Sequence, residues 1–221
     1  MIAAGILMMY LGNRQAIIYD MRDELIFLGV SLFGQVIRIL TVGFTPKNTS
    51  GRNTVNGQLA DELNVTGIYS ILRHPLYLGN FFMWLGPVLF LRSIGVTLVF
   101  GLIYWLYYER IMFAEEQFLR RKFGDIYDKW SEKVSAFIPY SFHYIKPNLP
   151  FSIKNVLKRE YNSFVNIFVI FALLDLCRNY FLSERIYMTR MWIWLFVAGG
   201  VIWLTVRTVH KQTKWLEVEG R

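Results

Sequence analysis

Four apolar runs constrain this chain most, at residues 25–44, 94–113, 161–182 and 191–209. Each is close to the roughly 20 residues that a helix needs to cross a bilayer. A backbone in hydrocarbon has no water to bond, so each run must pair its own N–H and C=O groups as a helix. A shorter run, 76–91, is separated from 94–113 only by Arg92-Ser93, which predicts a tight helical hairpin. Residues 2–11 form one more short run, reaching Ile18 only across Asn13, Arg14 and Gln15. Without a basic leader or a clear cleavage site, it reads as an imperfect spanning helix rather than a signal peptide. The expected fold is all-α: a polytopic integral membrane bundle of five or six transmembrane helices, a single domain over 1–221.

The polar residues give that bundle a direction. The chain carries 24 Lys and Arg against 16 Asp and Glu, a formal net charge of +8. Most of the basic residues gather in 46–75, in 114–160 and after Val206, which fall on one side if the spans alternate. The positive-inside rule makes that side the cytoplasm. No nucleic-acid-binding motif accompanies the charge, so it is read as membrane orientation and no nucleic-acid partner is expected. Cys177 is the single cysteine, which excludes an internal disulfide and any multi-cysteine metal site. His74, His143 and His210 are far apart, without zinc-ligand spacing, and no metal is expected.

Chemistry-bearing residues concentrate in 67–86, GIYSILRHPLYLGNFFMWLG. A polar turn with Arg73, His74 and Tyr77 opens a helix at Pro75, where the missing N–H costs little. Two readings stand here: an interfacial anchor, since Arg and Tyr favour the headgroup level, or a site. The hairpin returns the chain to the side where it began, which brings Glu115 and Glu116 toward Arg73 and His74. Gln35 and Arg38 share one face of the 25–44 helix, and Arg38 is either functional or snorkelling to the near interface. Loop 47–66, with Arg52 in its centre and one helical turn expected at 58–63, has the length of a lid or binding segment. Segment 115–139 is amphipathic, with Gly124 as a helix end and Asp125 as the next cap. Asp175 and Arg178, three apart, predict a self-satisfied ion pair.

Gly67-Ile68-Tyr69, Arg73-His74-Pro75-Leu76-Tyr77-Leu78-Gly79 and Gly86 resemble the isoprenylcysteine carboxyl methyltransferase and phospholipid methyltransferase superfamily. Glu115-Glu116, Leu119, Phe123-Gly124, Tyr127 and Ile138-Pro139 resemble its second motif, EE-xx-L-xxx-FG-xx-Y…P. The resemblance covers about 67–139; the N-terminal third and the two C-terminal transmembrane helices, 161–209, lie outside it. It implies a membrane methyltransferase using S-adenosyl-L-methionine, with its pocket near the cytosolic face. His74, Tyr77, Gly79, Glu115 and Glu116 would then contact the cofactor, and Arg73 and Glu116 would be catalytic. Arg38 and Arg52 are the candidates for substrate binding. The acceptor would be a lipid or lipidated molecule entering from the membrane, with an anionic carboxylate or phosphate oxygen. A prenylcysteine carboxylate and a lipid A phosphate both fit; amine acceptors stay open. The rival is an NADPH-dependent membrane reductase resembling the sterol reductases, which share the RHP-x-Y-x-G turn. Asn80 departs from their usual acidic residue, and Glu115-Glu116 fits the methyltransferases better.

Overall fold

The computed structural model describes residues 20–47, 49, 52–54, 57–140 and 142–221, leaving the side chains at 52–54 and 57–59 outside the description. The run expected to form a first helix before Ile18 lies outside the described residues. Helix α1 (Met21–Phe44) starts four residues before the apolar run at 25, because Asp20 caps it by accepting from Arg22 N at 2.8 Å. Thr45-Pro46 ends it. Strands β1 (Arg52–Thr54) and β2 (Gly57–Leu59) pair antiparallel, and a 3₁₀ turn covers Ile68–Ser70. The helical turn expected at 58–63 is therefore absent: its first residues are spent on the β2 ladder.

Helices α2 (Pro75–Phe90) and α3 (Ile94–Phe123) make the predicted hairpin. Its tip, Arg92, sits at φ 51 and pairs with Asp23 of α1 at 2.8 Å. Helix α3 has 30 residues, about 45 Å at 1.5 Å per residue. That exceeds a hydrocarbon core of about 30 Å, so its charged last turns project beyond the apolar layer. Gly124, at φ 51, ends α3 and leads into α4 (Asp125–Ser131). Helix α5 (Ile153–Ser183) begins eight residues before the expected 161, because Ser152 caps it and Asn155 Nδ2 bonds Val42 O at 2.8 Å. Helix α6 (Arg190–Gln212) completes the described bundle. Four of these helices, α1, α3, α5 and α6, are long and apolar enough to cross a membrane; α2 is apolar but has 16 residues. The protein is a polytopic helical membrane protein.

The most extensive helix contact joins α1 and α2. It is close because small residues meet there: a Cβ on Gly34 would run into the backbone of Gly79, and one on Gly86 into Ser31. Without a hydrophobic driving force between helices in lipid, such backbone approach supplies the packing energy. Ser31 Oγ adds a bond to Met83 O at 2.9 Å. The apolar core gathers Phe90, Phe100, Phe171 and Trp192, with Phe171 and Trp192 stacked at 5.0 Å. At the end away from the Arg73 turn, Asp175 and Arg178 pair as expected, but not alone. Arg178 also meets the buried Glu24, which accepts from Trp192 Nε1 at 2.8 Å, while Thr189 N and Oγ1 both donate to Asp175 at 2.7 Å. This network clamps α1, α5 and α6 together.

Candidate functional site

The Arg73 turn is fixed by backbone bonds. Arg73 N donates to Ser135 O at 2.9 Å and His74 N to Ala136 O at 3.1 Å, while Gly67 N donates to Ile145 O at 2.8 Å. Gly67 has φ 62, a conformation that costs glycine little and other residues more. Trp130 of α4 donates to Tyr69 O at 3.2 Å, so the segment after the hairpin holds the turn from below.

The convergence expected across the hairpin is present. His74 lies between the paired glutamates: Nε2 is 2.9 Å from Glu116 Oε1 and Nδ1 is 3.6 Å from Glu115 Oε2. Arg73 Nε is 3.3 Å from Glu116 Oε1, an ion-pair contact outside hydrogen-bond alignment, and its Nη1 donates to Ser131 O at 3.4 Å. Tyr77 OH donates to Glu115 Oε1 at 2.6 Å. Spacing explains this order: adjacent glutamates project about 100° apart on α3, so one faces the start of α2 and the other the turn. Tyr127 of α4 is fully buried beside Glu116; burial and that carboxylate hold its phenol well above its ordinary pKa.

Arg73, His74, Tyr77 and Glu115 line one side of a cavity of about 350 Å³. Its other side belongs to α1 and α5. Arg38 grips Glu160 with a two-pronged fork, Nε to Oε2 and Nη2 to Oε1, both at 2.8 Å. Its Nη1 donates to Asn80 Oδ1 at 2.6 Å, and Gln35 Nε2 reaches Glu160 at 3.1 Å. Snorkelling is thus not what Arg38 does: its guanidinium is held within the bundle. Tyr69 closes this side, its phenol pushed up to about 12 by burial. Arg159 and Val42 complete the wall near Glu160.

Of the residues singled out in the sequence, Arg38, Arg73, His74, Tyr77 and Glu115 line the cavity, and Glu116 stands behind His74. Gly79 faces α1 instead, where a Cβ would come within 2.6 Å of Arg38 Cγ. Arg52 lies on β1, and its side chain is outside the described residues. Sequence reasoning missed Glu160 and Asn80. Glu160 directly follows Lys158-Arg159, just outside the apolar run at 161–182; with the helix starting at Ile153 it falls two turns inside.

A second, apolar groove of about 490 Å³ runs from Tyr108 and Tyr104 near the cavity to Leu91 and Val96 at the hairpin tip. The two spaces share a wall. Tyr104 OH donates to Tyr77 O at 2.6 Å, and Asn80 Nδ2 lies 3.5 Å from Tyr108 OH. Among the described residues no group of three or more His, Cys, Asp or Glu is placed to hold a metal ion. The arrangement is a binding cradle of opposed charges and phenols beside an apolar trough.

Residues 24–126 match the family model of phospholipid methyltransferase. Over 81 residues the chain is 42% identical to the Schizosaccharomyces pombe protein-S-isoprenylcysteine O-methyltransferase, covering 36% of this chain and 34% of that one. Over 110 residues it is 30% identical to a probable protein-S-isoprenylcysteine O-methyltransferase of Oryza sativa subsp. indica, covering 49% of this chain and 57% of that one. It is also 33% identical over 85 residues to the nickel-cobalt-cadmium resistance protein NccN of Alcaligenes xylosoxydans xylosoxydans, covering 38% and 39%. The chain thus spans between about a third and just over half the length of these relatives. No solved structure matches. The core of this chain is thus similar to the phospholipid methyltransferase family and to protein-S-isoprenylcysteine O-methyltransferases.

Proposed function

We propose, from that similarity of the core, that the protein is an S-adenosyl-L-methionine-dependent methyltransferase acting on a membrane-borne acceptor. One observation carries the reading: a charged cavity built by the Arg73 turn and Glu115 shares a wall with an apolar groove along the hairpin. A water-soluble cofactor and a lipid acceptor need such neighbouring, unlike compartments.

The residues suit the cofactor. A cavity of about 350 Å³ falls within the roughly 300–1,000 Å³ of small-molecule sites. Glu115 supplies a carboxylate for the ammonium, Arg73 a planar fork for the carboxylate, and Tyr77 and Tyr69 supply aromatic faces and hydroxyls. His74 and Glu116 fix Arg73 and the start of α2. Gly79 contributes through its missing side chain, which lets Arg38 cross toward Asn80. When bound, the cofactor supplies an electrophilic methyl on a sulfonium. The chain's own residues then align and desolvate an acceptor oxygen, and an already ionised one needs no base.

The acceptor's apolar part lies in the groove under Tyr104 and Tyr108, and its reactive end at the shared wall. Three arginines and two glutamates line the cavity, a positive excess that favours a carboxylate or phosphate acceptor. Glu160 faces Arg38 and Glu116 faces Arg73, so an anionic acceptor end would share these pairs rather than meet free cations. A prenylcysteine carboxylate, as in the names of the relatives, and a lipid phosphate both meet this chemistry. The C-terminal helices belong to the same catalytic unit, since α5 brings Glu160, and the site faces the cytoplasm.

The test is thermal stabilisation of the detergent-solubilised protein. S-adenosylhomocysteine is expected to raise the melting temperature and NADPH to leave it unchanged. Stabilisation by NADPH alone overturns the assignment.

A further inference from the structure

The segment joining α4 to α5 shows an unusual outer surface. Ile138, Tyr140, Phe142 and Tyr144 are exposed, Phe142 to 75%, and Phe151 and Ile153 follow in the same condition. In a segment without helix or named strand, apolar side chains facing outward in a row are costly in water. Its height in the bundle is fixed. Phe151 packs edge-on against Phe44, the last residue of spanning helix α1, with ring centroids 5.2 Å apart. Ser152 N bonds Gly43 O at 2.9 Å, and Ile153 begins spanning helix α5. The segment therefore runs where two spanning helices leave the apolar layer.

Its charge is one-sided as well. From 138 to 159 the chain carries Lys146, Lys154, Lys158 and Arg159 and no Asp or Glu. Exposed Lys146 shares a shallow pocket with Phe44, Tyr144 and Pro147, so cation and aromatic rings open onto one surface. Tyrosine at headgroup level with lysine beside it fits a bilayer interface, and basic side chains near it are drawn to anionic lipids.

We propose that 138–153 is an interfacial strap, seated in the headgroup layer of an anionic lipid surface, that carries the Arg73 turn with it. The coupling is on the backbone. Ser135 and Ala136 at the near end accept from Arg73 and His74, and Ile145 accepts from Gly67. Ser70 Oγ closes the far end by accepting from Ile145 N at 2.9 Å. Lipid surface, strap and turn thus form one connected piece, and the turn's height is set by the strap. This holds whether or not the neighbouring cavity transfers methyl groups.

The test uses the full chain in nanodiscs of phosphatidylcholine, with and without phosphatidylglycerol. Phe142→Cys in a Cys177→Ser background carries an environment-sensitive fluorophore. Lipids spin-labelled near the headgroup are expected to quench it severalfold more than aqueous iodide, and the preference is expected to grow with phosphatidylglycerol. Lys146→Gln should remove about fivefold of that anionic preference, the equivalent of roughly 1 kcal/mol for one cation at the surface. A probe at Ile186, in the connection between α5 and α6 at the other end, reports whether the protein is inserted. Iodide quenching without lipid quenching at 142 overturns the proposal. Protection from both quenchers also overturns it, because a protein surface then covers the strap.

Discussion

At the scale of single residues, the pair that decides most is Arg38–Glu160. Breaking one partner of a buried pair costs about 3–5 kcal/mol because the other charge is left uncompensated. Glu160→Gln is therefore expected to lower thermal stability sharply, which alone does not separate structure from function. The exchange Arg38→Glu with Glu160→Arg does. It restores charge balance but moves the guanidinium from α1 to α5, away from Asn80. The expected result is recovered stability and a normal shift with S-adenosylhomocysteine, with methyl transfer to a prenylcysteine analogue still lost. Recovered transfer would make the pair a strut only. Arg38 was visible in the sequence as an intramembrane charge; its partner was not. The two are 122 positions apart, and Glu160 stands just outside the apolar run that marks its helix. The same blindness hid the contact of Glu24 with Arg178 while the local pair Asp175–Arg178 was legible at its i,i+3 spacing.

At the scale of elements, the α1–α2 crossing sets the site's geometry, because α1 carries Arg38 and α2 carries the Arg73 turn's continuation. Gly34→Ala places a methyl against backbone atoms of Gly79 and Met83, which cannot swing away. Overpacking of that kind costs about 1–3 kcal/mol and should lower the melting temperature. Gly29→Ala on the same helix meets nothing within 4 Å and should be neutral or mildly stabilising, about 0.5–1 kcal/mol from helix propensity. Equal effects from the two would show that the close crossing is unimportant. The helices themselves were readable from apolar length, as was the hairpin from its two-residue connection. The β1–β2 ladder was not: its six residues have neither alternation nor β-branched enrichment beyond Thr54, and pairing alone defines them. Gly79 shows the limit of motif reading, since a sequence pattern marks a residue without telling which of two surfaces it serves.

At the scale of the whole molecule, two ends differ in kind. The far end holds part of its charge in closed pairs, Arg92 with Asp23 and Arg178 with Glu24 and Asp175, and exposes Arg22, Arg185 and Arg190. The site end carries most of the 24 Lys and Arg, in 46–75, 114–160 and after Val206. Charges spent in internal pairs have little left to orient a chain, whereas unshielded basic segments are retained on the cytoplasmic side. The site end is thus expected to face the cytoplasm, and two positions test it without touching the cavity. Lys133 lies exposed just after α4, and Ile186 lies exposed in the connection between α5 and α6. Ser70 would serve poorly, being buried with its hydroxyl bonded to Gly67 O at 2.7 Å. In a Cys177→Ser background, Ile186→Cys should react with an impermeant maleimide added to intact cells, and Lys133→Cys only after the membrane is opened. The reverse pattern would place the site outside and remove a cytosolic cofactor supply from the mechanism.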